Sequence, residues 1–156
     1  MRTLRALSLV AAVIAALAGC ARPKVAPEPP PPAPPASQSN DAADTLRQAN
    51  TAAANGQLAD ANRLYASVVD APNPSRDAVV NAATGLYRTG DYAGAVRAFA
   101  KLGTFARGEE DLRYYNAVSL YEMGRYAEAK HELACALPYI SVTPDVDRYR
   151  AKIEAK

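Results

Sequence analysis

Between about Asp41 and Leu137 the apolar positions fall into short stretches of helical period, and a glycine divides each pair of stretches. Tyr92, Ala95, Val96, Phe99 and Leu102 stand at i, i+3, i+4, i+7 and i+10, which gathers them on one helix face. Upstream, Val79, Val80, Ala82, Ala83, Leu86 and Tyr87 carry the same period across residues 78–89. Gly90 lies between the two stretches, and a residue that tolerates positive φ there closes one helix and turns the chain into the next. The same arrangement surrounds Gly56 and Gly124, so the pattern predicts an all-α fold with a helix on either side of each of the three glycines.

These glycines are each 34 residues from the next, and the residues around them repeat. The second residue after the glycine is Leu58, Tyr92 or Tyr126; the fifth is Ala61, Ala95 or Ala129; the ninth is Tyr65, Phe99 or Leu133. Seven residues before it stand Ala49, Ala83 and Ala117. Small residues are needed where two helix axes approach closely, and a large side chain must fill the space beside them. A helix-turn-helix array has this signature, and 34 residues is the tetratricopeptide period. The chain resembles a tetratricopeptide repeat (TPR) protein over about two thirds of its length. The resemblance implies a TPR-type α-solenoid of three helix-turn-helix repeats (about 42–75, 76–109 and 110–142) and a C-terminal capping helix (about 144–154). The chain departs from the family pattern at the tryptophan-like position (Thr45, Val79, Arg113) and at the next large aliphatic position (Gln48, Ala82, Asn116). Ala52 also stands where the later repeats have Leu86 and Leu120.

The residues before the array have a different character. Arg2 and Arg5 precede an apolar run, Ala6 to Ala18, which suits a secretory signal and is too short for a permanent span. Its end, Leu17-Ala18-Gly19-Cys20, resembles a bacterial lipobox, which implies a signal peptide over 1–19 and lipidation of Cys20; an ordinary signal peptide with an incidental cysteine is the alternative. Several acyl chains would anchor the protein to a membrane without spanning it. Ala21 follows the cysteine where an Asp commonly marks inner-membrane retention, so the resemblance implies the outer membrane, with the array facing the periplasm. Residues 22–40 hold eight of the 12 prolines and little apolar bulk, which predicts an extended tether over 20–40 with a reach of roughly 60 Å. A PxxP match such as Pro29 to Pro32 docking in an aromatic groove is the competing reading.

Composition narrows the chemistry. In a chain of 156 residues without Trp and with 2 Phe, the core of residues 41–156 must come from Ala, Leu, Val and the 9 Tyr. Removing Arg2 and Arg5 from the 18 basic side chains leaves as many as the 16 acidic ones, which gives no support for a nucleic-acid partner. Asn40-Asp41, Ser75 and Thr143 before Pro144 are candidate helix N-caps. Glu109, Glu110 and Asp111 are expected in the first turn of a helix, where the dipole favours them, and not at a metal. His131 is the only histidine and has no partner at ligand spacing, so it is expected at the surface. No glycine-rich phosphate loop, Gly-x-Ser-x-Gly elbow or HExxH occurs, so no enzyme activity, cofactor or metal is expected. Cys135 is expected to lie buried beneath the terminal helix, against the alternatives of an intermolecular disulfide or a reactive thiol.

In the TPR family the first helices of the repeats line a concave groove. Carried over position by position, the resemblance implies a groove lined by Leu46, Arg47, Asn50 and Ala53. The second repeat adds Asp77, Val80, Asn81, Thr84, Tyr87 and Arg88, and the third adds Asp111, Tyr114, Tyr115, Val118, Tyr121 and Glu122. Tyr115 and Tyr121 read equally well as core residues. Tyrosines among a few polar groups suit an extended peptide or a partner helix, because Tyr offers a large contact area and a hydrogen-bonding tip at low entropic cost. The expected function is therefore a lipid-anchored protein-binding scaffold or assembly factor in the cell envelope, serving pilus, secretion or outer-membrane machinery. The alternatives are a small envelope enzyme accessory or sugar-binding subunit using the same groove, and self-association of the array.

Overall fold

The computed structural model describes residues 36–156, with side chains from residue 40. Among the described residues there are seven α-helices and no strand: α1 (Ala36–Ala54), α2 (Leu58–Asp70), α3 (Arg76–Arg88), α4 (Tyr92–Leu102), α5 (Glu110–Glu122), α6 (Tyr126–Ala136) and α7 (Pro144–Glu154). The expected signal segment, Cys20 and most of the proline-rich tether lie outside the described residues. Helices α1 and α2, α3 and α4, and α5 and α6 pack as hairpins; α2 also packs on α3, α4 on α5, and α6 on α7.

Each hairpin turns in the same way. Gly56, Gly90 and Gly124 have φ of 76°, 79° and 77°, a region that costs a residue with a Cβ. In the middle hairpin the Gly90 N–H donates to Tyr87 O and the Asp91 N–H to Leu86 O, at 3.1 and 2.9 Å. Gly56 with Gln57, and Gly124 with Arg125, make the same two bonds, so the last carbonyls of all three first helices are satisfied by one motif. The alanines flanking the turns are sealed: Ala49, Ala83, Ala117, Ala61, Ala95 and Ala129 are all fully buried. Tyr65, Phe99 and Leu133 fill the space beside them, and burial of each contributes about 1.5–3 kcal/mol.

Ser75 and Thr143 cap α3 and α7 as expected, accepting from the N–H groups of Ala78 and Val146. Asp91 caps α4 by accepting from the Gly94 N–H at 2.9 Å. The first helix departs from expectation. It starts at Ala36, so Asn40 and Asp41 lie inside α1 and do not cap it. No helix breaker stands between Ala36 and Asn40, so helical geometry extends back to the proline run.

Two contacts tie neighbouring hairpins together. The Tyr65 ring lies over Gly85, where an added Cβ would come within 2.3 Å of the ring, and its hydroxyl donates to Asn50 Oδ1 at 2.6 Å. Arg76, at the start of α3, donates to Leu102 O, Thr104 O and both Glu109 carboxylate oxygens, which fastens the 103–109 connection. The bond from Arg76, then that from the Ala106 N–H, holds the Glu109 carboxyl below its ordinary pKa. Glu110 and Asp111 stand in the first turn of α5, where acids were expected.

Candidate functional site

The side presented by α1, α3 and α5 carries the residues assigned to a groove, and α7 changes its extent. Asp145 of α7 accepts from the Tyr114 hydroxyl at 3.0 Å, and Tyr149 donates to Glu122 at 3.0 Å. The Tyr149 ring meets Tyr121 edge-on, with centroids 6.2 Å apart. Val146 and Ile153 of α7 are buried in one cluster with Tyr114 and Val118. Helix α7 therefore lies against the repeat-three residues that were expected to line an open groove. Two of them need correction: Tyr114, 5% exposed, and Val118, fully buried, are core residues. Their register on α5 puts them under the next helix, and a lone helix with the sequence of α5 does not reveal that a neighbour will cover it.

The remaining positions separate into an engaged and an open set. Arg47 is exposed, pairs with Asp44, and lines a cleft with Gln48, Thr51 and Gln57. Asn50 is occupied by the Tyr65 hydroxyl. Leu46, Ala53 and Val80 are half-buried against the core of the first two hairpins. Asp77, Asn81, Arg88, Asp111 and Glu122 are exposed, and Thr84, Tyr87, Tyr115 and Tyr121 are half-buried.

What the fold gathers is a line of tyrosines. Tyr87 stacks on Tyr115 with centroids 4.5 Å apart and planes within 20°. Tyr92 packs against Tyr87 at 6.4 Å and Tyr114 against Tyr115 at 6.0 Å. A second group joins Tyr126, Tyr121 and Tyr149. Offset and tilted rings of this kind attract one another beyond the area they bury. Sequence reasoning missed Tyr92, Tyr126 and Tyr149 as members of this face. A signal for the first two was present: Tyr87 and Tyr92, and likewise Tyr121 and Tyr126, stand five residues apart across a glycine turn, which brings the last turn of one helix beside the first turn of the next.

Three of these phenols, Tyr87, Tyr114 and Tyr149, are held protonated. Burial first, then the Asp145 carboxylate and the neighbouring Tyr115 and Tyr92, push Tyr87 up to about 12. Burial and the bond to Asp145 push Tyr114 up, and burial and the bond to Glu122 do the same to Tyr149. Tyr149 also lies beneath the Arg148 and Lys152 cations, at 5.5 and 4.9 Å from its centroid. The face thus offers flat rings, and Asn81 and Arg88 are exposed on α3. No group of three or more His, Cys, Asp or Glu side chains converges among the described residues. His131 is exposed. Cys135 is free and only half-buried, which corrects the expectation that α7 would cover it; it lines a cleft with Phe105, Arg107, Arg113 and Tyr139.

Compared with family models, curated proteins and solved structures, the chain matches none.

Proposed function

We propose that this chain is a TPR-type lipoprotein that holds another polypeptide against its tyrosine face, as a scaffold or assembly factor of the bacterial cell envelope. The observation that carries the reading is the half-open stack of Tyr87 on Tyr115, with Tyr92 packed against it and with Asn81 and Arg88 exposed on the same helix as Tyr87. Stacked aromatic rings beside adaptable polar groups suit peptide backbone and apolar side chains, with contact area from the rings and register from hydrogen bonds. Three hairpins with one glycine turn, one pair of sealed alanines and a 34-residue period support the TPR architecture. The Leu17-Ala18-Gly19-Cys20 motif supports a lipid anchor on Cys20, and Ala21 supports an outer-membrane location facing the periplasm.

The test is site-specific photocrosslinking in cells. A photoreactive residue at Asn81 or Arg88 should give a discrete polypeptide adduct that the Tyr87→Ala/Tyr115→Ala double variant abolishes, whereas the same probe at Arg63 or Arg97 should give none. Adducts of equal yield from both sets of positions, or an adduct untouched by the double variant, would refute the assignment of this face. A Cys20→Ser variant that still partitions with membranes and incorporates labelled palmitate would refute the anchor.

A further inference from the structure

The tyrosine face is rich in unused donors. Among the described residues the hydroxyls of Tyr87, Tyr92, Tyr115 and Tyr121 have no hydrogen-bond partner, and none of the four is sealed from solvent. The carboxylates beside them are already engaged: Asp145 accepts from Tyr114 and pairs with Arg148, and Glu122 accepts from Tyr149. After burial and the bond to Glu122, the phenols of Tyr92 and Tyr87 add to the upward shift of Tyr149, so the two groups of rings adjoin. A complementary chain would supply carbonyl acceptors, bring few N–H donors and lay rings on the aromatic faces. Proline meets all three demands: it has no N–H, its carbonyls stay open in polyproline II geometry, and its side chain is a ring.

The chain carries such a sequence itself. Residues 28–35 read EPPPPAPP, and Pro29, Pro32 and Pro35 fall on one edge of a three-residue turn, recurring about every 9 Å. Tyr92, Tyr87 and Tyr115 are joined in series by centroid steps of 6.4 and 4.5 Å. The run also ends within reach of them, because it joins α1 at Ala36 and α1 packs on α3. Ala36 stands 20 residues before Gly56, and Tyr87 three before Gly90. Tyr87 therefore lies roughly 25 Å further along the helix direction than the start of α1. With one helix spacing of about 10 Å and half of another to cross, the path is roughly 30 Å. Residues 24–35 in polyproline II geometry cover about 37 Å. A linker this short gives an effective concentration of about millimolar, so a contact too weak to hold a free peptide still forms within one chain.

We propose that the chain's own proline run, residues 24–35, turns back at Ala36 and occupies the tyrosine face, with its rings on Tyr87 and Tyr115 and its carbonyls on the unused hydroxyls, so that a partner must displace it. The inference rests on the reading of this face as peptide-binding. Its test is a photoreactive residue at Ala33 of the full chain, irradiated in cells and followed by tryptic digestion. The adduct should join peptide 25–47 to peptide 77–88 or 114–125, which carry Tyr87, Tyr115 and Tyr121, and not to peptide 64–76 of α2. Its yield per chain should not change when expression is lowered about tenfold, as contact within one chain requires. Replacing the prolines at 29–32, 34 and 35 by Ser leaves α1 to α7 unaltered and should cut the yield about tenfold, because the preorganised ring-bearing strand is lost. Tyr87→Ala/Tyr115→Ala should abolish it. Adducts spread equally onto peptide 64–76, a yield that falls with expression as contact between two copies would, or a yield indifferent to the prolines would each overturn the proposal. A partner adduct without the adduct from Ala33 would sink this inference and leave the proposed function standing; the adduct from Ala33 without a partner adduct would do the reverse.

Discussion

The bond between Tyr114 and Asp145 decides how much of the inner face is open, because it fastens α7 across α5. Replacing Tyr114 by Phe removes the hydroxyl and leaves the ring, so no cavity forms. A hydrogen bond to a charged acceptor contributes about 1.5–3 kcal/mol. Here Asp145 also pairs with Arg148 and its side chain is 47% exposed, so water can replace the lost donor. Solvent screening therefore places the expected loss near 1 kcal/mol. For a domain of this size that corresponds to a fall in Tm of about 4 °C. Urea denaturation of the unaltered protein, Tyr114→Phe, Asp145→Asn and the double variant forms a cycle whose coupling should be about 1 kcal/mol. Hydrogen exchange should also quicken selectively at the amides of 146–154 in both single variants. A coupling below about 0.3 kcal/mol, or unchanged exchange in α7, would mean that the bond does not hold the helix. Tyr114→Ala is a different perturbation: it empties a buried aromatic site at a cost of about 3–5 kcal/mol, so it reports on folding and not on partner binding.

Gly85→Ala should destabilise the protein even though alanine is the better helix former, because the new Cβ would come within 2.3 Å of the Tyr65 ring, whose hydroxyl is already held by Asn50. Overpacking of about 1–3 kcal/mol should outweigh a helix-propensity gain of about 1 kcal/mol, with Tyr65→Leu restoring part of the loss; chemical denaturation showing Gly85→Ala equal to or above the parent would contradict the close approach. Alkali should unfold the protein progressively. The Tyr87 hydroxyl titrates near 10 when unfolded and near 12 in the fold, so above pH 10 the unfolded chain has released a proton that the folded one retains. Stability must then fall between those two values. Tyr114 and Tyr149 shift the same way, and Tyr87→Phe should shallow the fall measured by denaturation at pH 9 to 12.

Local features of the fold were written in the sequence. Gly56, Gly90 and Gly124, the sealed alanines, and the caps Ser75 and Thr143 act over one or two helix turns, so spacing alone predicts the helix boundaries from Gly56 to Glu154 closely. The start of α1 was not legible, because Ala36 to Asn40 contains no stop signal and Asn40-Asp41 merely resembled a cap. The candidate site was half legible. Tyr87 and Tyr115, both placed on first helices by the repeat, do meet each other in a stack, since helical register sets direction. Tyr114 and Val118 hold the positions of Val80 and Thr84 one repeat earlier, which are only half-buried, yet they are core, in one cluster with Val146 and Ile153 of α7. The tertiary structure alone decided this, since whether a helix face meets water or another helix depends on segments some thirty residues away. Periodicity defines a face, and only packing determines what covers it.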